Sequence, residues 1–377
     1  MIEVKTDVCL KPKKGAAVTA AKVGVLMVFG LLAWTVVLPL AAAAVLTKAV
    51  FGKRVTPMLN TVTYDDYKDR MDRQEMSFVS RGNRLAGCRY SAKGKGRGKA
   101  LVLVCHGIGC NMDGYLNRTA WFVDKGYEVF TFDMTGTCRS EGDGLGGLMQ
   151  SKIDLHNAIN FCASRPEFEG LPILVYGHSW SGFAAANVLN YGHKELTAVA
   201  TLSGFNDTWD IMKIHASRYV GKLAVLIKPW SRILELLKYG DDAKGDGVSG
   251  INAYGGPVLV AHSSDDPTVP INCSVYVHRD EIVNPNAEYI LFTDRGHTLS
   301  RPVAAESRIS EDYRNNRKEH LAAKGANVFQ YNVDDRYRFS DKKTVFAIDD
   351  AFMEQVDDFF TRALAARAER GEEEKVC

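Results

Sequence analysis

The chain has 377 residues, 46% of them hydrophobic, and carries 47 basic against 45 acidic side chains, a formal net charge of +2 at pH 7. This length and apolar content allow one large core, since alternating strand–helix domains often run to about 250 residues. The near balance of charge argues against nucleic acid as a partner, because nucleic-acid-binding proteins carry a basic excess.

The amino-terminal region contains a long apolar stretch. Residues 23–46 include no charged side chain, and about 20 apolar residues suffice to cross a bilayer as a helix. We therefore predict a transmembrane helix here, after a basic segment (residues 1–22) and before a polar linker (residues 47–71). A cleaved signal peptide is the alternative, with the alanines at 41–44 as a cleavage region, although its apolar core usually has about 7–15 residues. A buried helix of a soluble domain is a third interpretation.

The charges that flank this span bear on its orientation. Basic residues are more numerous before the span than closely after it: Lys5, Lys11, Lys13, Lys14 and Lys22 against Lys48, Lys53 and Arg54. This excess favours a cell-membrane, single-pass topology with the larger part of the chain outside the cell. Seven of the eight cysteines follow the span without paired spacing, which predicts free buried thiols and suits a reducing compartment instead. No cysteine or histidine spacing indicates a metal site.

Beyond the linker, residues 72–367 alternate between apolar strands and helical patterns. Two strands, about 74–79 and 84–90, turn at 81–83, and a basic glycine-rich loop over 93–99 is predicted to be a solvated hairpin. Further segments are predicted in this order: strand 101–105, helix 112–125, strand 128–132, helix 152–162, strand 173–176, helix 183–191 and strand 198–202. Such alternation predicts an α/β fold, a mostly parallel sheet covered by helices on both faces.

Two insertions interrupt the alternation. Residues 204–255 are amphipathic and rich in large apolar side chains, which predicts extra core helices, an apolar wall for a substrate, or both. Residues 300–344 are charged, with a possible helix at 308–324 and a hairpin or loop at 327–337. A final amphipathic helix is predicted over 349–367, and residues 368–377 are predicted to be a disordered charged tail.

The segment from Ile173 to Gly182 reads I-L-V-Y-G-H-S-W-S-G. An apolar strand ends at a glycine, a serine follows two residues later, and small residues open a helix. This pattern is typical of a sharp strand–turn–helix that exposes a nucleophile, here Ser179. An ordinary serine in a turn is the alternative interpretation.

A serine nucleophile needs a base and a carboxylate that orients the base. His297 follows the apolar strand 289–292, and Asp266 follows the strand 257–262, in the chain order Ser…Asp…His. Because loops at the carboxyl ends of parallel strands converge, we expect these side chains to meet. Asp265 is the competing acid, and either carboxylate is within reach of an imidazole.

Acyl transfer also needs amides that stabilise the developing oxyanion. The loop His106-Gly107-Ile108-Gly109 follows the strand 101–105, so we predict backbone amides of Ile108 and of Trp180, the residue after the nucleophile, for this role. The other nearby histidines are predicted to brace or pack: His106, His178 and His262.

These motifs together resemble the α/β-hydrolase superfamily, in particular its serine aminopeptidase-like and lysophospholipase-like branch. The turn D-M-T-G-T-C-R-S-E-G at 133–142 is similar to the family's D-x-R-G-x-G-x-S-x-G, with Thr135 in place of the arginine and Cys138 in place of the second glycine. The resemblance implies a triad of Ser179, Asp266 and His297, since the family's aspartate stands three residues before a Val-Pro pair. It also implies a helical lid at 204–255.

The expected function is a membrane-anchored serine hydrolase that cleaves carboxylic esters, including lipid-like acyl esters, through an acyl-enzyme and without a cofactor. The resemblance leaves a serine aminopeptidase open, in which Glu141 or Asp143 would bind the substrate amine, and also an acyltransferase. A catalytically silent membrane scaffold is the non-enzymatic alternative. The expected partners are a small-molecule or lipid-like acyl substrate and the lipid bilayer, but not nucleic acid.

Overall fold

An eight-stranded sheet organises the chain in this computed structural model, which describes residues 14–57, 61–316 and 337–376. The strand order is β1-β2-β4-β3-β5-β6-β7-β8. β2 pairs antiparallel with β1 and β4, and the other pairings are parallel. The strands are β1 (Met71–Ser80), β2 (Asn83–Ala92), β3 (Leu101–Cys105), β4 (Glu128–Phe132), β5 (Ile173–His178), β6 (Leu196–Leu202), β7 (Val258–Ser263) and β8 (Ala287–Phe292).

Helices precede, separate and follow these strands. They are α1 (Lys14–Leu32), α2 (Leu38–Phe51), α3 (Leu116–Asp124), α4 (Gln150–Ala163), α5 (Trp180–Asn187), α6 (Thr208–Val220), α7 (Lys228–Tyr239), α8 (Gly247–Tyr254), α9 (Val303–Asn315), α10 (Lys342–Val345) and α11 (Asp350–Val376). The predicted α/β fold is confirmed, and β3 and β4 have the predicted bounds.

The sheet separates two hydrophobic clusters. Alternate residues of β3 belong to different clusters: Leu101 and Leu103 to one, Val102 and Val104 to the other. The first cluster includes side chains of α4 and α5, and the second includes side chains of α3 and α11. A strand buried on both faces needs apolar residues at every position, which is why β3 reads as a continuous apolar run.

The insertion at 204–255 contributes a core helix, which is one of its two predicted roles. α8 packs against α5 so closely that a Cβ placed on Gly250 would lie 2.4 Å from the carbonyl oxygen of Ala186. α8 is therefore a helix of the core. α6 and α7 form the remaining part, and α7 exposes apolar side chains.

The amino-terminal helix runs from α1 through a single π-helical segment, Ala33–Val37, into α2. Its part Ala21–Phe51 is 31 residues long and apolar enough to cross a membrane, and it includes the predicted span at 23–46. A signal sequence has the same properties.

The predicted polar linker at 47–71 has more structure than its composition indicated. α2 continues to Phe51, and Val55 pairs with Thr137 and is 1% exposed. The guanidinium of Arg54 donates to the carbonyl oxygens of Cys138, at 2.9 Å, and Ser140, at 2.6 Å. The apolar residues inside a mostly polar stretch thus attach this segment to the domain.

The carboxyl-terminal prediction also differs from the structure. Residues 368–376 were predicted to be disordered, but α11 continues through Val376. The segment contains mainly Ala, Glu, Arg and Lys, which are good helix formers and can extend a helix that packing has already nucleated. Of the predicted helix at 308–324, the structure describes the part that belongs to α9. The rest of that helix lies outside the described residues, as do the predicted hairpin at 327–337, except for Tyr337, and Cys377. Cys88, Cys105, Cys162 and Cys273 are buried free thiols, as predicted.

Lys152 joins α4 to the segment between α7 and α8. Its Nζ donates to the carbonyl oxygens of Asp242 and Lys244, both at 2.9 Å, and the residue is 1% exposed. Burial lowers the pKa of this amine to about 8 from its ordinary value of 10.5, although Asp242 favours the charged form.

The unfolded chain therefore binds the Lys152 proton more tightly than the folded chain between pH 8 and 10.5. We expect the free energy of unfolding to rise over this interval, by on the order of a few kcal/mol, and the Lys152→Met variant to lack this rise. Urea denaturation at a series of pH values measures both proteins. If the free energy of unfolding changes with pH in the same way in the wild type and in Lys152→Met, the lowered pKa of Lys152 is contradicted.

Candidate active site

Ser179 lies at the turn between β5 and α5. Its backbone has φ 62° and ψ −116°, a left-handed conformation that is rare for a non-glycine residue. A Cβ at Gly177 would lie 2.3 Å from the carbonyl oxygen of Ser181, so only glycine fits there. The apolar strand, the glycine and the helix start thus produce the sharp turn that the sequence predicted, and the strain is localised at the serine.

The structure brings the three predicted triad side chains together. His297 Nε2 lies 2.9 Å from Ser179 Oγ, and His297 Nδ1 lies 2.7 Å from Asp266 Oδ2. Ser179 is 5% exposed, and the Asp266 carboxylate is fully buried. A hydroxyl, an imidazole and a carboxylate in this order can transfer the serine proton to the histidine while the carboxylate fixes the tautomer of the ring.

The carboxylate of Asp266 is held by backbone as well as by the histidine. Its Oδ1 accepts hydrogen bonds from the amides of Thr268, at 2.8 Å, and Val269, at 2.9 Å. Burial alone would raise the pKa of this carboxyl, but the charge of His297 and its hydrogen bond hold the pKa below its ordinary value. Asp266 therefore stays ionised at neutral pH.

The competing acid, Asp265, has a different position. Its Oδ1 accepts from the amide of Gly296, at 2.9 Å, and from the hydroxyl of Ser263. Asp265 thus supports the turn that precedes His297, whereas Asp266 contacts the ring. The geometry favours the acid that the family pattern selected.

The predicted oxyanion amides belong to two segments that meet beside the nucleophile. Trp180 begins α5, and Ile108 lies in the loop after β3. A Cβ placed on Gly107 would lie 3.3 Å from the Cβ of Ser179, so this loop passes directly beside the serine. Within the part of the chain that the structure describes, neither the amide of Ile108 nor that of Trp180 donates a hydrogen bond. Both amides can therefore bind an oxyanion.

A hydrogen-bond chain that the sequence did not reveal connects this loop to the histidine. The amide of Gly107 donates to Tyr115 Oη, at 3.0 Å, and Tyr115 Oη lies 2.6 Å from His178 Nδ1. His178 Nε2 lies 2.9 Å from the carbonyl oxygen of His297, which also accepts from Ser203 Oγ, at 3.0 Å.

The protonation of His178 follows from its partners. Burial, together with the nearby His297, lowers the pKa of this ring well below its ordinary value, so it remains neutral. The carbonyl of His297 can only accept, so Nε2 carries the proton and Nδ1 accepts the Tyr115 hydroxyl. His178 was predicted to be a packing residue, and no motif in the sequence marks Tyr115.

The loop after β4 is stabilised despite its departures from the family pattern. Asp133 accepts hydrogen bonds from the amides of Met112, at 2.9 Å, and Arg139, at 3.1 Å. Thr135, which replaces the family's arginine, donates its hydroxyl to Asp154, at 2.9 Å. His106 Nε2 accepts from the amide of Met134, at 3.1 Å, so His106 connects its own loop to the loop after β4.

Comparisons with known proteins agree with this fold. Residues 96–250 match a family model described as serine aminopeptidase, S33. The fold is similar to that of an esterase from Pyrococcus furiosus (TM-score 0.50, 19% identity, 68% of this chain and 97% of that chain). It is also similar to that of an acetyl xylan esterase from Paenibacillus sp. R4 (TM-score 0.50, 22% identity, 72% of this chain and 92% of that chain). No curated protein matches the chain. The sheet topology and the family match over residues 96–250 support a serine hydrolase with the α/β-hydrolase fold.

Proposed function

We propose that the protein is a membrane-anchored hydrolase of carboxylic esters. The observation that carries this proposal is the hydrogen-bonded series of Ser179, His297 and Asp266, with separations of 2.9 and 2.7 Å, beside two amides that can bind an oxyanion.

In the proposed reaction Ser179 Oγ attacks the ester carbonyl while His297 Nε2 takes the serine proton. The amides of Ile108 and Trp180 stabilise the negative oxygen, each by about 3 kcal/mol. His297 then protonates the leaving alcohol, and an acyl-serine remains. Water attacks this acyl-enzyme with His297 as base, and the acid product leaves Ser179 free. Asp266 keeps the imidazole in the productive tautomer throughout.

One of the two acidic candidates for binding a substrate amine is already engaged, which favours an ester over an amino-terminal peptide as the substrate. Glu141, a candidate for binding a substrate amine, accepts from the amide of Arg84, at 2.8 Å, and pairs with its guanidinium. Its carboxylate is thus engaged within the fold. An aminopeptidase remains the second candidate, because the matching family model is described as one.

The helix Ala21–Phe51 supports the membrane-anchored part of the proposal. The apolar residues of α6 and α7 support a substrate with a hydrophobic acyl group. A series of p-nitrophenyl esters of increasing chain length, compared with aminoacyl arylamides, tests the substrate class. Turnover confined to the arylamides would favour the aminopeptidase.

The nucleophile is tested with a fluorophosphonate probe, which labels an activated serine. We expect labelling of the wild type and none of Ser179→Ala. Ser181→Ala is the matched control: Ser181 is fully buried and donates its hydroxyl to the carbonyl of His106, so labelling is retained. Absence of labelling in folded wild-type protein would contradict the hydrolase proposal and favour a catalytically silent scaffold.

The acid is tested by comparing Asp266→Asn with Asp265→Asn. An asparagine at 266 would favour the wrong imidazole tautomer, so we expect kcat to fall by roughly 10³- to 10⁴-fold. Asp265→Asn retains an acceptor oxygen for Gly296 and should lose far less. Steady-state kinetics with a soluble ester measure both, and an equal loss in the two variants would remove the distinction between the acids.

The series of hydrogen bonds that runs from Gly107 through Tyr115 and His178 to His297 is tested by Tyr115→Phe, which deletes the hydroxyl that joins the loop to His178. A lost buried hydrogen bond predicts a kcat roughly 10-fold lower, with little change in KM because the substrate contacts remain. Tyr127→Phe is the matched control, since Tyr127 is also buried but donates to Asp357 on α11. A rise in KM with unchanged kcat would show that Tyr115 does not position the catalytic groups.

A further inference from the structure

The amino-terminal helix is longer than a bilayer requires. Its 31 residues from Ala21 to Phe51 span about 46 Å at 1.5 Å per residue, whereas the hydrocarbon core is about 30 Å thick. About ten residues therefore remain beyond the hydrocarbon. The carboxyl-terminal end of the helix, in α2, is the part attached to the folded domain.

One side of α2 is covered by the domain. Ala43 and Phe51 are 6% and 8% exposed, and Thr47 and Val50 are partly buried, a spacing of three to four residues that defines one stripe of a helix. α2 contacts α7, and Thr47 and Phe51 line a small cavity together with Leu234 and Tyr239 of α7. α7 therefore lies alongside the end of the helix that emerges from the membrane.

α7 is amphipathic: the domain covers the face that carries Ser231, Glu235 and Tyr239, and the opposite face is apolar. Ser231 and Tyr239 face inward and are 7% and 5% exposed. On the other side Ile233 and Leu236 are each 39% exposed and Leu237 is 74% exposed. The preceding turn adds two more exposed apolar side chains, Val225 and Leu226. Within the described residues nothing covers these side chains, and an exposed apolar patch of this kind is typical of a site that meets a partner or a membrane surface.

The segment that carries this surface has an excess of basic residues. Between residues 208 and 239 the chain contains six basic and two acidic residues: Lys213, Arg218, Lys222, Lys228, Arg232 and Lys238 against Asp210 and Glu235. Glu235 is partly buried, accepts from Thr208, at 3.0 Å, and pairs with Arg232, so these two charges offset each other and the segment keeps a basic excess. An exposed apolar surface in a basic segment fits the interface of an anionic bilayer, where apolar side chains insert and basic side chains meet the headgroups.

We infer that the outer face of α7, with Val225 and Leu226, inserts into the interfacial region of the bilayer that the amino-terminal helix spans. This inference rests on the proposed membrane anchoring and deepens the proposed function. α7 and the turn before it belong to the lid at 204–255. Their insertion therefore places the lid at the depth of the lipid headgroups. The substrate class that follows is an amphiphilic acyl ester that the membrane itself presents.

The inference is tested with the full chain in nanodiscs of phosphatidylcholine and phosphatidylserine. Leu237→Cys and Val283→Cys are each labelled with bimane, and labelled wild type gives the background from native cysteines. Val283 is a matched control, because it is 78% exposed, apolar and located just before β8. We expect nitroxide-bearing lipids to quench position 237 and not position 283, with stronger quenching from a nitroxide near the headgroup than from one near the chain end.

Equal quenching at the two positions would overturn the inference, provided that thermal unfolding shows both variants to be folded. Leu226→Cys repeats the measurement should Leu237→Cys fail to fold. A shift in bimane emission that requires a second copy of the protein in the nanodisc, without quenching by lipid nitroxides, would also overturn the inference. It would assign the outer face of α7 to self-association. Extraction of native membranes with alkaline carbonate separates the two proposals. Release of the protein by carbonate contradicts the anchoring, whereas retention of the protein together with an unquenched label contradicts only the lid insertion.

Discussion

The left-handed backbone of Ser179 is the constraint on which the rest of the site depends. A residue at φ 62° between β5 and α5 turns the chain sharply and holds the serine side chain out of the sheet. Gly177 permits the turn because any side chain there would collide with the Ser181 carbonyl. The energy of this strain is offset by the buried strands and helices around it, since β5 and α5 are buried at every residue.

Around that turn, backbone hydrogen bonds fix the groups that act on the serine. The acid is held by the amides of Thr268 and Val269, and the carbonyl of His297 is held by His178 and Ser203. Tyr115 joins the same set to the loop beside the nucleophile. Displacing one of these groups moves its partners as well, so the site behaves as one hydrogen-bonded unit instead of three independent side chains.

The sequence predicted the parts of the site that depend on local pattern. Ser179 follows from the strand, glycine and small residues around it, and Asp266 and His297 follow from the rule that loops after parallel strands meet. Tyr115 and His178 could not be assigned, because their roles depend on which atoms become neighbours after folding. The docking of Arg54 and Val55 was missed for a related reason: composition marks a segment as polar but does not show which surface its few apolar residues fit. The helical end of α11 was missed because a charged tail has no apolar periodicity.

The attachment of the segment after α2 has a mechanical consequence. Val55 pairs with Thr137, and Arg54 binds carbonyls of the same loop, so no flexible tether separates the apolar helix from the hydrolase domain. A spanning helix that is longer than the hydrocarbon tilts to reduce hydrophobic mismatch, and the tilt depends on bilayer thickness. For a helix that spans a bilayer as proposed, this attachment would make the domain turn with the helix, and the height of Ser179 above the lipid would change with the thickness of the bilayer.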